Sequence, residues 1–431
     1  MKRALKNIVV FILTLEAKLV LRRYKPKIIA ITGSVGKTST KDAIYTALLA
    51  FTHVRKSAKS YNSDFGIPLT ILGLPNAWNN PYGWLSNIAK GFLLLLKKMD
   101  YPKWLVLEIG ADHPGEIQAI MRWVHPDISV ITRIGDVPVH VENYKSVKDV
   151  VREKSYLARE LKKDGFLILN ADDSDVIAFK EYSNARVITF GIREEADIRA
   201  SYIQTAYDES GKITGTAFKV DMDGSSIPIK LNGILGQTHI YPVLASFAVI
   251  RALGFNPLLA QSTFSNHEYP KGRMNIIDGT NHSTIIDDTY NASPVAVEEG
   301  FLSIKNIDAK GRKIAVIGDM LELGKHSGDE HQRLGKLAGE IFKVILLVGI
   351  RAKDMKEAAA KSGLSKKSIF VFESSTDAGE FLKTFIGEGD VIFIKGSQGM
   401  RMEKAIHSIM EYPELRIKQL VRQEPEWLSK A

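Results

Sequence analysis

The sequence has no cysteine. That excludes disulfides, thiolate metal sites and cysteine nucleophiles, and it fits a cytoplasmic location. Internal repeats, low-complexity tracts and basic runs interleaved with aromatics are also missing, so no nucleic acid partner is expected. Acidic residues are the scarcer charged class, 49 against 58 Lys and Arg, which leaves a net charge of +9. A basic balance favours anionic partners such as nucleotides, sugar phosphates or an anionic membrane.

A bilayer-spanning run is lacking too. Lys2, Arg3 and Lys6 precede the apolar stretch Ile8 to Leu15, the outline of a secretory signal, but Glu16 and Lys18 interrupt it and no small-residue cleavage site follows. The uninterrupted part is far shorter than the ~20 residues that cross a membrane. Residues 3–23 read instead as one amphipathic helix, with Leu5, Ile8, Val9, Ile12, Leu15, Leu19 and Val20 on one face. Packing on the first domain is its ordinary use, and peripheral contact with the inner membrane face is the sharper one. The same pair of readings applies to Trp78, Trp84 and the Leu93 to Leu96 run with its flanking lysines.

What is present starts with Ile28 to Thr40. An apolar run ends at Thr32, Gly33-Ser34-Val35-Gly36-Lys37-Thr38 follows, and a helical pattern runs from Lys41 to Phe51. This is strand, phosphate loop, helix. Glycines let backbone N–H groups turn toward phosphate oxygens, Lys37 adds a point charge, and the helix N-terminus adds a partial one. Gly33, Ser34, Val35, Gly36, Lys37, Thr38 and Ser39 are therefore the candidate ATP-binding residues, with the Thr38 hydroxyl placed for Mg²⁺. The loop is shortened, because Ile31 stands where a full Walker A pattern has its first glycine.

A chain of 431 residues with 45% hydrophobic content can bury two or three cores. From residue 28 to about 185, short β-branched runs at 28–32, 104–109, 128–132 and 166–169 alternate with helices, as a mostly parallel sheet demands. Residues 186–235 read as a small antiparallel addition, 240–253 as a helix and 265–272 as a hinge. Strand runs at 274–278, 283–287, 313–317, 344–348 and 391–394 then alternate with helices as a second, Rossmann-like α/β domain. The expected organisation is a helix over 1–27, a central P-loop ATPase domain over 28–270, the second domain over 271–410, and a polar tail over 411–431 that trails over the surface.

Glu108 ends an apolar strand, where ligands of open α/β sheets bind, and pairs with Thr38 as a first Mg²⁺ site. A loop carries His140 and Glu142, and a helix carries Lys154. On their own these read as a loop histidine and a solvated charge.

The ordered words ITGSVGKTST, YNSDFGIPLT, LEIGADHPGEI, LNADD, KGRMNIID, IDDTYNASP, GDMLELG and KGSQGMRME, with His140 and Lys154 between, cover nearly all of residues 28–404. In them the chain resembles the Mur ligase family, ATP-dependent amide-forming enzymes of cell-wall synthesis, and most closely its members that add D-alanyl-D-alanine. The resemblance implies that Lys154, fourteen residues after His140, is carbamylated, and that the two hold a second Mg²⁺. It assigns Arg273 to nucleotide phosphates, Asp288 and Asn291 to the nucleotide, and Lys395 and Ser397 to the incoming amino acid or dipeptide. It makes Lys37, His140, Lys154 and Arg273 the catalytic set. The implied reaction joins a small-molecule carboxylate acceptor to an amine through an acyl phosphate, in a monomer.

Departures lie on the substrate side. Only the short basic helix precedes the loop, where the family carries a UDP-sugar domain, so the acceptor is left open and a lipid-carried one enters as a variant. Gly236 to Pro242, Ile131-Thr-Arg133 and Lys395-Gly-Ser-Gln398 differ from the family words. A Mur-type ligase of polyglutamate or cyanophycin kind, and a non-catalytic nucleotide-binding regulator, are the alternatives. The intact metal and phosphate residues speak against the second.

Overall fold

The computed structural model describes residues 3–57, 66–78, 80–135, 141–192 and 195–428. Two sheets organise it. The first contains β1 (Lys27–Thr32), β2 (Val54–Lys56), β3 (Trp104–Glu108), β4 (Ile128–Ile131), β5 (Phe166–Asn170), β6 (Arg186–Gly191), β7 (Ile198–Tyr207), β8 (Ile213–Met222) and β9 (Ser225–Asn232). Their order is β2-β3-β1-β4-β5-β6-β7-β8-β9, parallel as far as β7 and antiparallel from β7 through β9.

Burial follows this layout. β3, Trp-Leu-Val-Leu-Glu, is buried at every position because helices cover both faces of the parallel part, whereas β9 alternates between buried and exposed residues. The expected antiparallel addition therefore begins later than residue 186: β6 continues the parallel sheet, and β7 joins it in parallel at Phe190 and Gly191.

The second sheet contains β10 (Asn275–Gly279), β11 (Ser283–Asp288), β12 (Lys313–Gly318), β13 (Val344–Val348), β14 (Ile369–Phe372) and β15 (Val391–Lys395), in the order β10-β11-β15-β12-β13-β14. Only β10 runs antiparallel to its neighbour. The helix Ile240–Ala252 is apolar nearly all round and buried on almost every side, so it forms the centre of a core that reaches from the first sheet into the second domain.

Two further expectations differ from the structure. The N-terminal helix, Arg3–Tyr24, buries Val9, Leu13, Glu16, Ala17 and Val20, while Ile8, Leu15 and Leu19 of the expected inner face are exposed. It packs on the helices Gly66–Leu72 and Pro81–Leu96, and close approach selects small side chains such as Ala17 and Gly91 over large ones. The tail is also anchored rather than trailing. Leu420, Val421 and Arg422 are buried, and the Arg422 guanidinium donates to the Thr289 carbonyl at 2.5 and 3.2 Å.

Candidate active site

Each sheet has one point where strand order reverses, and a crevice opens there beyond the strand C-termini. In the first sheet it lies between β1 and β4; in the second it lies around β15, between β11 and β12. A cavity of about 340 Å³ is lined from both places, by Ser34 to Thr40, Glu108 and Arg133 on one wall and Arg273, Asp288, Asn291, Lys395 and Ser397 on the other.

The phosphate loop follows β1. Gly33 is there because the loop passes so close to β4 that an added Cβ would lie 1.9 Å from Thr132 Oγ1, at a φ of +147°. Gly36 takes the left-handed conformation, φ +84°, and starts the helix Lys37–Leu48 with no side-chain cap and no acid in its first turn. The leading N–H groups of that helix have no intrahelical partner, which suits an anion. The Ser34 and Val35 amides are differently committed, donating to the Arg133 carbonyl at 2.7 and 3.0 Å. The anion-binding capacity therefore rests on the helix start and Lys37.

Lys37 and Lys154 meet at one atom. Lys37 Nζ donates to the Gly33 carbonyl at 2.8 Å and Lys154 Nζ to the same oxygen at 3.1 Å. Lys154 is buried and Lys37 is half-buried. Burial lowers the Lys37 pKa, with Glu108 opposing and Arg273 adding. Lys154 falls from 10.5 to about 7, through burial first and the neighbouring Lys37 charge second. Its neighbour Glu153 is used structurally: the carboxylate accepts from the Gly115 and Ile117 amides at 2.9 and 2.7 Å and holds the start of the helix Glu116–Met121. His140 lies outside the described residues, as does the first half of the YNSDFGIPLT word.

Glu108 stands at the end of β3, almost fully buried, and the Thr38 hydroxyl lies 3.1 and 3.0 Å from its two carboxylate oxygens. A hydroxyl and one carboxylate are hard oxygen donors of the kind Mg²⁺ takes when phosphates complete its shell, so this pair fits the ion. Among the described residues no group of three or more His, Asp or Glu could hold a metal alone. The ion would therefore need nucleotide oxygens. Lys41 is the residue that sequence reasoning missed here. It is fully buried with Nζ 3.8 Å from Glu108 and 3.5 Å from Asp42. Its signal was its position, one turn beyond Lys37 and Thr38 on the same helix face.

On the far wall, Arg273 is flanked by Gly272 and Met274, both at positive φ, and its guanidinium stacks over Tyr290 at 4.4 Å. His239 supports this turn, its Nε2 lying 2.7 Å from the Arg273 carbonyl; burial lowers its pKa to about 3. A neutral prop is what the GQTH variant of the family word supplies. Asp288 ends β11 and Lys395 ends β15. Lys395 Nζ donates to Asp288 Oδ2 at 2.5 Å and to the Asn291 carbonyl at 3.0 Å. Ser397 Oγ accepts from the Leu321 amide at 2.8 Å. Lys395 and Ser397 thus line the cavity while their polar atoms are spent on the protein. An ion pair between Arg133 and Glu299 of the helix Pro294–Lys305 closes one side of the cleft across the two domains.

Comparison with known proteins bears on this cleft directly. The chain is similar to the UDP-N-acetylmuramoyl-tripeptide–D-alanyl-D-alanine ligase of Bacillus subtilis (strain 168), 28% identical over 398 residues that cover 92% of this chain and 79% of that protein. It is 28% identical over 402 residues to the protein of the same name from Mycobacterium leprae (strain TN), covering 86% and 71%. Its fold is that of a MurF ligase from Thermotoga maritima solved with ADP, with a TM-score of 0.76 at 24% identity over 95% of this chain and 84% of that one. The folylpolyglutamate synthase of Mycobacterium tuberculosis shares the fold at a TM-score of 0.63 and 12% identity, covering 92% and 94%. The family model of the Mur ligase middle domain matches residues 31–250, which carry the near wall, and that of the Mur ligase glutamate ligase domain matches 272–398, which carry the far one. The first match alone takes in just over half of the sequence, and on it the chain belongs to the Mur ligase family.

Proposed function

We propose that the chain is an ATP-dependent carboxylate–amine ligase that adds D-alanyl-D-alanine, or a similar dipeptide or amino acid, to a peptidoglycan-type precursor. The observation that carries this is the joint cleft, with an uncapped helix start, the half-buried Lys37 and the buried Lys154 on one wall and Arg273 on the other. Single-domain nucleotide sites do not need the second wall; a two-substrate transfer that must exclude water does.

In this reading the acceptor carboxylate attacks the γ-phosphorus of ATP, the bond to the β–γ bridging oxygen breaks, and ADP leaves. The amine then attacks the acyl carbon, the bond from that carbon to the phosphate oxygen breaks, and the amine loses a proton. Lys37 and the start of its helix answer the charge on the transferred group, and Arg273 reaches the phosphates from the far domain. Asp288 and Asn291 border the nucleotide. Lys395 and Ser397 serve the amine side by fixing the loops that shape it. Mg²⁺, held by Thr38 and Glu108 with the nucleotide, supplies further charge neutralisation at phosphate oxygens.

Carbamylation of Lys154 belongs to the same proposal, with His140 as co-ligand of a second Mg²⁺. A pKa near 7 leaves a large neutral fraction, the form that attacks CO₂ through its lone pair with loss of a proton. The product is an anion beside Lys37, so repulsion becomes attraction. An enzyme that consumes ATP works where ATP is, in the cytoplasm, and the reading is of a monomer.

The test is ADP release by the purified chain with ATP, Mg²⁺, a UDP-muramoyl tripeptide and D-alanyl-D-alanine, against each substrate alone. Release that requires both, and disappears in Lys37→Ala, is expected. Indifference to every carboxylate–amine pair tried overturns the proposal.

A further inference from the structure

The helix pair on the outer face of the first sheet is apolar on its outer side as well as its inner one. The helix Pro81–Leu96 turns Trp84, Asn87, Gly91 and Leu94 inward and leaves Leu85, Phe92, Leu93 and Leu96 exposed. An ordinary surface helix turns polar side chains out. The N-terminal helix shows the same outer side: Glu16 is 6% exposed among buried Val9, Leu13 and Val20, whereas Phe11 is 69% exposed, with Ile8, Leu15 and Leu19 beside it at helical spacing.

The seam between the two helices explains the arrangement. Glu16 lies against Gly91, where an added Cβ would sit 2.1 Å from Glu16 Oε2, and the Tyr24 hydroxyl reaches the Leu94 and Lys97 carbonyls at 3.0 and 3.1 Å. Polar and small groups take part of the contact beside Val9, Leu13, Trp84 and Leu94, and the remaining apolar side chains of both helices face outward. Trp78, Tyr82 and Met99 are exposed next to it in sequence. Exposed apolar surface on this scale marks a binding face.

Charge identifies what binds. Residues 1–27 and 78–103 hold twelve Lys and Arg against two acids, Glu16 and Asp100, a net of +10. The rest of the chain holds 46 against 47, a net of −1. The net positive charge of the chain therefore falls in the two segments that carry the exposed apolar face. Two such faces repel each other, which disfavours a second copy as the occupant. Among the described residues no helix is long and apolar enough to cross a membrane.

We propose that this face is a docking surface for an anionic phospholipid bilayer, with both helices lying in its plane. Phe11, Phe92 and Leu96 enter the boundary between headgroups and acyl chains, and the lysines extend their stems to reach phosphate. The proposal is independent of the chemistry in the cleft.

Co-sedimentation of the full chain with vesicles tests it. Partition onto phosphatidylcholine vesicles containing about 30% phosphatidylglycerol should exceed that onto pure phosphatidylcholine by about tenfold or more, and should fall at about 0.5 M salt. The double variant Phe92→Ser/Leu96→Ser should lose about tenfold on anionic vesicles with its unfolding midpoint unchanged. Lys90→Glu/Lys97→Glu/Lys98→Glu, which leaves the apolar face intact, should lose binding as well. Equal binding to both vesicle types, or to neither, overturns the proposal. So does a lipid-free dimer, seen by light scattering, that Phe92→Ser/Leu96→Ser dissolves.

Discussion

On the far wall of the cleft, Lys395 sits 2.5 Å from the Asp288 carboxylate, and each charge is answered within the protein. On the near wall, Lys37 and Lys154 converge on one neutral carbonyl oxygen, that of Gly33, with the Glu108 charge shared among Thr38 and Lys41. Lys395 and Lys154 are buried and Lys37 is half-buried. A cation paired with a carboxylate acts as a strut, and one with no carboxylate partner among the described residues, such as Lys37 or Lys154, is held at a cost that an incoming anion can relieve. The near wall is thus the one prepared for phosphate, and the far wall the one prepared to hold its shape.

The largest expected effect comes from the unpaired side. Lys37→Ala removes the charge facing the transferred phosphate and should lower ADP release by about 10³-fold or more, with little loss of folding stability. A stability gain would agree with the contrast, since a desolvated cation disappears. A variant that binds and turns over ATP normally breaks the comparison.

Next comes the paired side, read by stability. Asp288→Ala leaves Lys395 buried without its carboxylate and should cost about 3–5 kcal/mol in denaturant unfolding. Asp288→Asn/Lys395→Met removes both charges and should recover most of that loss. If the single variant unfolds at the native midpoint, Lys395 is not a strut.

Lys154 sharpens the contrast through pH. Its amine titrates near 7 in the fold against 10.5 when free, so the folded state prefers the neutral form. The penalty is complete below pH 7 and is relieved as pH rises toward 10.5. In CO₂-free buffer, stability should therefore climb across that window, by up to about 1.4 kcal/mol per pH unit. Lys154→Met should flatten the slope, and bicarbonate should raise native stability near neutral pH only in the native chain. A slope unchanged by Lys154→Met would place the titration elsewhere.

Much of this was legible beforehand, for reasons that differ from residue to residue. The phosphate loop announces itself because Gly33 and Gly36 are demanded by backbone geometry. Glu108 is legible as an acid at the end of an apolar strand. Lys154 is not, because a lysine on a helix reads as solvated, and only the company of Val150, Leu157 and Ala158 on its face turns it inward. The pairing of Lys395 with Asp288 joins strands more than a hundred residues apart, which no local pattern encodes. β2 has three residues and β14 four, too few for a period to register. The N-terminal helix buries Val9 and Val20 of the expected stripe but exposes Ile8, Leu15 and Leu19, because in a helix apolar nearly all round periodicity does not say which side is inside.

The smallest effect is expected where the two walls touch. Arg133 and Glu299 pair across the cleft, but about a third of the Arg133 side chain is open to water. Solvent screening limits such a pair to about 0–1 kcal/mol, so Arg133→Ala and Glu299→Ala should each change the unfolding midpoint little. Their coupling should appear instead in catalysis, because the pair ties together two walls that must close on one nucleotide. In a double-mutant cycle on KM for ATP, the two single variants should each raise KM by several-fold, about one kcal/mol, and the double variant no further than either alone. Full additivity would mean that each residue acts on its own wall and that the domains are positioned by the apolar core beneath them.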